Sequence, residues 1–200
     1  MGEERSIRRL IASEFVTLDG IMEAPGHEEH PDGKNSWALQ HATEDIQRFK
    51  IDELFGVDAI LLGRVTYQIW AAFWPTASGD VAFTKLMNEI PKYVASRTLT
   101  QDDLTWSGST LLPAEDAIGA IRELRARDGK GLQVMGSASL AAQLVEHDLV
   151  DEYRLMIEPV LLGGGKRLFP LDGRARPLEL VSTTTAGTGV LICAYRPASR

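Results

Sequence analysis

The sequence predicts an α/β fold, a mixed and mainly parallel sheet flanked by helices and closed by an antiparallel hairpin. Two observations carry this expectation. Up to Asp151, short apolar runs alternate with helix-like segments, the pattern of βα units. Beyond Asp151, strand-like segments follow one another without helices between them, and the last two flank Ala186-Gly187-Thr188-Gly189, a hairpin connection.

Ile7 to Val16 reads as the first strand, offering Leu10, Ile11, Ala12, Phe15 and Val16 to the core. Thr17-Leu18-Asp19-Gly20 breaks it, because Asp-Gly favours a turn. Residues 24–36 are polar and rich in Gly and Pro, an exposed loop beside the site. Thr43 is placed to cap a helix reaching Phe55, with Ile46, Phe49, Leu54 and Phe55 on its apolar face. Val57–Leu62 is the next strand, followed by a short helix over Val65–Ala72 that ends near Pro75. Val81, Phe83, Leu86, Met87 and Ile90 mark a further helix stopped by Pro91, and Lys92–Ala95 a short strand. Pro113 opens a helix whose Ile118, Ile121 and Leu124 recur every third residue up to Asp128-Gly129. Leu132–Met135 is a strand, and Leu140, Leu144 and Val145 mark the helix after it. Tyr153–Ile157, Glu179–Thr184 and Val190–Tyr195 complete the sheet. Residues 1–200 contain no repeat and no dividing linker, so they read as one domain.

The 200 residues are 44% hydrophobic and carry a net charge of −7, which argues against a nucleic-acid surface. The single cysteine, Cys193, can form no intramolecular disulfide and no cysteine-based zinc cluster, and its apolar surroundings read as a packed strand thiol. The stretch Met1–Ser6 is polar and lacks a signal peptide's apolar core. No apolar run approaches the ~20 residues of a membrane span. The expectation is a cytoplasmic protein that binds neither membrane nor nucleic acid. His27 and His30 share an H-x-x-H spacing, but their acidic loop offers no fixed scaffold, so no metal site is expected.

Three strand ends point to a ligand. Ala59–Leu62 runs into Gly63-Arg64-Val65-Thr66-Tyr67, Leu132–Met135 into Gly136-Ser137-Ala138-Ser139, and Tyr93–Ala95 into Ser96-Arg97-Thr98. Strand ends that feed helix N-termini leave backbone N–H groups free, and the helix dipole adds attraction for anions. Arg64 and Arg97 supply guanidinium groups suited to phosphate. Such an arrangement fits a dinucleotide with an extra 2′-phosphate, so NADPH is the expected cofactor. Neither G-x-G-x-x-G nor G-x-x-x-x-G-K-[ST] is present, and glycine at a strand–helix junction also has a purely structural use. The joint occurrence carries the expectation.

Several segments, in order, carry a family likeness: Thr17-Leu18-Asp19-Gly20, then Gly63-Arg64-Val65-Thr66-Tyr67, then Leu149–Tyr153, then Glu158-Pro159-Val160-Leu161-Leu162-Gly163-Gly164-Gly165-Lys166-Arg167-Leu168-Phe169. Together they resemble the reductase domain of bacterial riboflavin biosynthesis, the C-terminal half of the deaminase–reductase, over residues 7–195. The resemblance implies a dihydrofolate-reductase-like fold, NADPH as hydride donor, a homodimer, and a small heterocyclic substrate related to a pyrimidine ribosylamine or a reduced pteridine. It places Gly63, Arg64 and Thr66 near the cofactor phosphates; from the strand ends themselves, Ser96 and Arg97 are expected to clasp the 2′-phosphate and adenine side, and Gly136, Ser137 and Ala138, small residues that permit close approach, to cradle the pyrophosphate. It also brings the Gly163–Gly164 loop near the nicotinamide. Gly136-Ser137 departs from the Gly-Gly pair of dihydrofolate reductase itself. Asp19 is the candidate acid on the substrate side, Glu158 the second candidate, and Trp37 and Lys166 candidates for substrate contact. Asp19 also reads as a plain turn residue, Glu158 as a structural carboxylate and Trp37 as packing. The function expected is that of 5-amino-6-(5-phosphoribosylamino)uracil reductase. The alternatives are a pterin-type or xenobiotic reductase, or a non-catalytic NADP-binding sensor.

Overall fold

A computed structural model of the chain describes residues 7–26, 36–79 and 81–198. Its strands are β1 (Arg9–Thr17), β2 (Ala59–Gly63), β3 (Lys92–Ala95), β4 (Ser109–Leu111), β5 (Gly131–Met135), β6 (Glu152–Glu158), β7 (Leu178–Thr185) and β8 (Leu191–Pro197). Its helices are α1 (Glu44–Phe55), α2 (Arg64–Phe73), α3 (Val81–Glu89), α4 (Ala117–Arg125) and α5 (Ala138–Glu146). The eight strands form one sheet in the order β4-β3-β2-β5-β1-β6-β8-β7. Every pairing from β4 to β6 is parallel, and the β6–β8 and β8–β7 pairings are antiparallel. This is the mixed α/β architecture that the apolar pattern predicts.

Alternation along the strands explains the two layers. In β1, Leu10 and Ala12 join Leu61, Val134, Ile121 and Leu144 on the side of α4 and α5. Ile11 joins Ile60, Leu62, Leu54, Tyr67 and Met87 on the side of α1, α2 and α3. The parallel strands are apolar on both faces because helices cover both. Strand β7 has no such cover, and all of its residues are exposed.

The strand β4 was not legible in the sequence, because three residues, none of them buried, carry too short a pattern. The fourth helix starts later than Pro113 suggests. Asp116 caps it by accepting the Gly119 N–H at 2.8 Å, and Pro113 to Asp116 form a turn ahead of it. Cys193 is buried in β8, 3.5 Å from the Thr183 hydroxyl. Among the described residues, no helix is long and apolar enough to cross a membrane.

The expected cap of α1 is present, with Thr43 Oγ1 accepting the Ile46 N–H. Replacing Thr43 by Ala removes this acceptor and should lower unfolding free energy by about 1 kcal/mol, measured by urea denaturation.

Candidate functional site

The C-terminal ends of β3, β2, β5 and β1 lie side by side and open onto a cleft of about 1140 Å³. One half is built by the segments Gly63–Thr66, Ala95–Thr98 and Gly136–Leu140. The other half is built by Ser13, Glu14 and Phe15 of β1, Ile46 and Lys50 of α1, and the segment Met22–Gly26. The three strand ends singled out in the sequence therefore meet at one edge.

Local chemistry in the first half turns on helix capping. The N-termini of α1 and α4 are capped by their own Thr43 and Asp116 side chains. Those of α2 and α5, which face the cleft, have no side-chain cap. Ser137 stands at the N-cap of α5 but turns its hydroxyl elsewhere, accepting the Gly63 N–H at 2.8 Å and donating to Met135 O at 3.1 Å. Thr66 Oγ1 donates to Gly136 O at 2.9 Å, so β2–α2 and β5–α5 are cross-linked twice. Gly136 has φ +62°, and a Cβ there would stand 3.1 Å from Thr66 Cγ2 and 3.3 Å from Trp70 Cζ2. Only glycine fits.

The assigned groups differ in what they have left to offer. Arg64 is exposed and donates to Gln68 at 3.0 Å, while Arg97 is exposed at the rim without an ion pair to a described residue. Ser96 is buried, and its hydroxyl accepts the Thr98 and Leu99 N–H groups, so it braces the turn that carries Arg97. The Gly136 N–H, expected to cradle pyrophosphate, donates instead to Glu14 Oε2 at 2.7 Å. The Gly63 N–H is likewise taken by Ser137. Free backbone donors are therefore those of the first turns of α2 and α5, Ala138 included.

Asp19, Glu158, Gly163, Gly164 and Trp37 do not line the cleft. The Asp19 carboxylate accepts hydrogen bonds from Thr17, Leu162 N and Gly163 N, and these bonds hold its pKa low, that from Thr17 most. The Arg167 guanidinium donates to Asp19 O at 2.7 Å. Asp19 and Gly163 thus clasp two loops, and Gly164 rides on that clasp with open space around it. The clasp brings Lys166 to the rim, where it pairs with Glu23 at 2.9 Å. Glu158 is fully buried, 3.3 Å from His41 Nδ1, with neither carboxyl oxygen hydrogen-bonded among the described residues, and burial pushes its pKa up to about 7. Trp37 is buried and gives its indole N–H to Glu23 O at 2.9 Å, which makes it a packing residue. His27 and His30 lie outside the described residues.

Sequence reading missed Glu14 and Lys50. Lys50 is buried, donates to Ser13 Oγ at 2.6 Å and pairs with Glu53 at 2.8 Å. Glu14 is 2% exposed, and burial raises its pKa to about 8 against the lowering effects of the Gly136 N–H and Lys50. A charged residue inside an apolar strand run was the available signal.

Comparison with known proteins follows the same lines. A family model described as RibD C-terminal domain matches residues 8–192. The uncharacterized protein YyaP of Bacillus subtilis (strain 168) is 32% identical over 192 residues, covering 94% of each chain. A putative riboflavin biosynthesis protein from Shewanella sp. PV-4 superposes with a TM-score of 0.69 at 17% identity, covering 96% of this chain and 99% of that one. The diaminohydroxyphosphoribosylaminopyrimidine deaminase/5-amino-6-(5-phosphoribosylamino)uracil reductase of Thermotoga maritima gives 0.65 at 15% identity, covering 96% of this chain and 57% of that one.

The two raised carboxyls set a pH dependence. Native Glu14 and Glu158 keep protons that the unfolded chain has released, so they stabilise most below about pH 4.5 and lose that contribution as pH rises through about 7 and 8. Unfolding free energy should fall across this window. Glu158→Gln should flatten the part ending near pH 7, as urea denaturation at stepped pH will read.

Proposed function

The chain belongs to the RibD C-terminal domain family, a family of reductase domains, and from that premise we propose that it is an NADPH-dependent reductase of a small heterocyclic compound. The riboflavin-pathway pyrimidine reduction named for the Thermotoga maritima protein is the nearest chemical pattern. The observation that carries the reading is the pair of uncapped helix N-termini, α2 and α5, at adjacent parallel strand ends. Their first-turn N–H groups suit the bridging phosphates, and Arg97 suits the 2′-phosphate. Arg64, beside the α2 terminus, suits either. The remaining half of the cleft, around Phe15 and Ile46, suits a flat acceptor, with Lys166 at its rim.

When bound, reduced nicotinamide supplies a hydride. The protein's own part is to hold the acceptor carbon close and aligned, to keep water out, and to deliver a proton. A cytoplasmic setting belongs to the proposal as well. A symmetric homodimer is part of the same proposal. It is supported by the uncovered edge strand β7, whose Leu178, Leu180 and Val181 are exposed opposite the Tyr195–Pro197 end of β8.

Trp70 lines the cleft and packs edge-on against Trp74, so intrinsic fluorescence should report nucleotide binding. NADPH should bind more tightly than NADH. A charge-assisted hydrogen bond is worth roughly 1.5–3 kcal/mol. Arg97→Ala should therefore weaken NADPH about ten- to a hundredfold and NADH little. Arg64→Ala should weaken both if it meets the shared pyrophosphate, and mainly NADPH if it reaches the 2′-phosphate. Equal affinities untouched by either change would remove the reading. NADPH that binds but is oxidised by no pteridine or flavin precursor would favour the sensor alternative. Separately, sedimentation at micromolar concentration should show dimers, and Leu180→Glu should yield monomers; a monomeric unmodified protein would dismiss the dimer.

A further inference from the structure

Glu14 occupies a place in the cleft that the phosphate-site reading does not use. It lies on β1, between the Gly136 turn of one half and the Ser13, Phe15 and Lys50 wall of the other. Its side chain is 2% exposed. One oxygen, Oε2, accepts the Gly136 N–H at 2.7 Å, and the other, Oε1, is buried without a partner among the described residues.

The surroundings decide its protonation state. Two charged side chains act on Glu14, Lys50 and Glu53 of α1. Lys50 is already committed, donating to Ser13 Oγ and paired with Glu53 Oε2, so its charge is largely answered by Glu53. The Gly136 loop contributes a backbone N–H and no cation. A buried carboxylate with that little compensation takes up a proton. The outcome is a neutral acid at physiological pH, with burial lifting its pKa to about 8. A protonated Oε1 would be a buried O–H donor still awaiting an acceptor.

We propose that Glu14 is the catalytic acid of this site, giving its Oε1 proton to the heteroatom of a C=N or C=O acceptor as the adjoining carbon is reduced. The proposal rests on the reductase reading above. Hydride with its two electrons reaches the carbon, and the π pair of the double bond moves to the heteroatom. That atom takes the Glu14 proton, so the hydride-bearing C–H bond of the reduced nicotinamide, the C=X π bond and the Glu14 O–H bond would break while C–H and X–H bonds form on the acceptor, leaving oxidised nicotinamide and a Glu14 carboxylate. The Gly136 N–H then steadies the carboxylate left behind, and water reprotonates it once the product has gone. Because the same N–H would strengthen its bond as charge develops on Glu14, the turn between β5 and α5 assists the transfer directly.

Glu14→Gln separates an acid from a mere brace. The amide oxygen still accepts the Gly136 N–H, so NADPH affinity should be unchanged, whereas single-turnover NADPH oxidation should fall at least about a hundredfold. In the unmodified protein that rate should decline above about pH 8, and the decline should vanish in the Gln variant. Glu14→Asp, a shorter acid, should recover part of the rate together with the pH limb, and it serves if the Gln variant does not fold. Infrared difference spectra, unmodified protein minus Glu14→Gln or Glu14→Asp without nucleotide, should show a protonated-carboxyl band that bleaches or shifts through the same pH range. A Gln variant with the full rate and the same pH limb overturns the acid role alone, as does a missing carboxyl band. A protein that binds NADPH yet reduces no acceptor overturns the reductase reading and the acid role together.

Discussion

Strand β5 enters the sheet between β1 and β2, hydrogen-bonded in parallel to both. The chain reaches that position only after β2, β3 and β4 have been laid outward, so β5 returns to a slot already flanked. Parallel register then fixes the rest: every strand from β3 to β1 delivers its C-terminal end to the same edge, where α2 and α5 begin. The cleft is the gap left where the connections diverge, as expected for open parallel sheets. Had β5 paired antiparallel, Gly136 would lie at the opposite edge from Gly63, and no shared anion site would exist.

Much of this frame was legible in the residues. Apolar runs located β2, β3 and β5 because their two buried faces demand it, and Thr43 announced α1 because hydroxyls prefer that position. The residues of the three strand ends came together because strand ends and helix starts are local features. What stayed hidden depends on partners far apart in sequence. Ser137 reads as part of a pyrophosphate cradle, and only the fold shows Gly63, distant along the chain, claiming its hydroxyl. Asp19 reads as a reactive turn carboxylate until Leu162 and Gly163 take both of its oxygens. Glu14 drew no reading within its strand, and only sheet order reveals that its neighbour is the Gly136 turn.

The two halves of the cleft handle charge in opposite ways. The half built by the ends of β2, β3 and β5 exposes helix termini and guanidinium groups to solvent. The β1–α1 half encloses its charges, matching Lys50 to Glu53 and leaving Glu14 with a single amide. Enclosure makes the second half sensitive to protonation and the first sensitive to ionic strength. The Asp19 clasp serves the second half, since it fixes the loops carrying Met22, Glu23 and Lys166 without contributing a group of its own to the cleft.

The cross-links between β2–α2 and β5–α5 have a consequence for selectivity by size. The Ser137 bond to Gly63 and the Thr66 bond to Gly136 fasten the two helix starts to one another. Gly136 cannot be widened by a side chain, because Thr66 and Trp70 stand against it. The spacing between the two sets of amide donors is therefore set on folding, before any ligand arrives. Such a pair of fixed points acts as a gauge: a phosphate bridge of matching span meets both ends without ordering loss, and a shorter or longer one engages a single end.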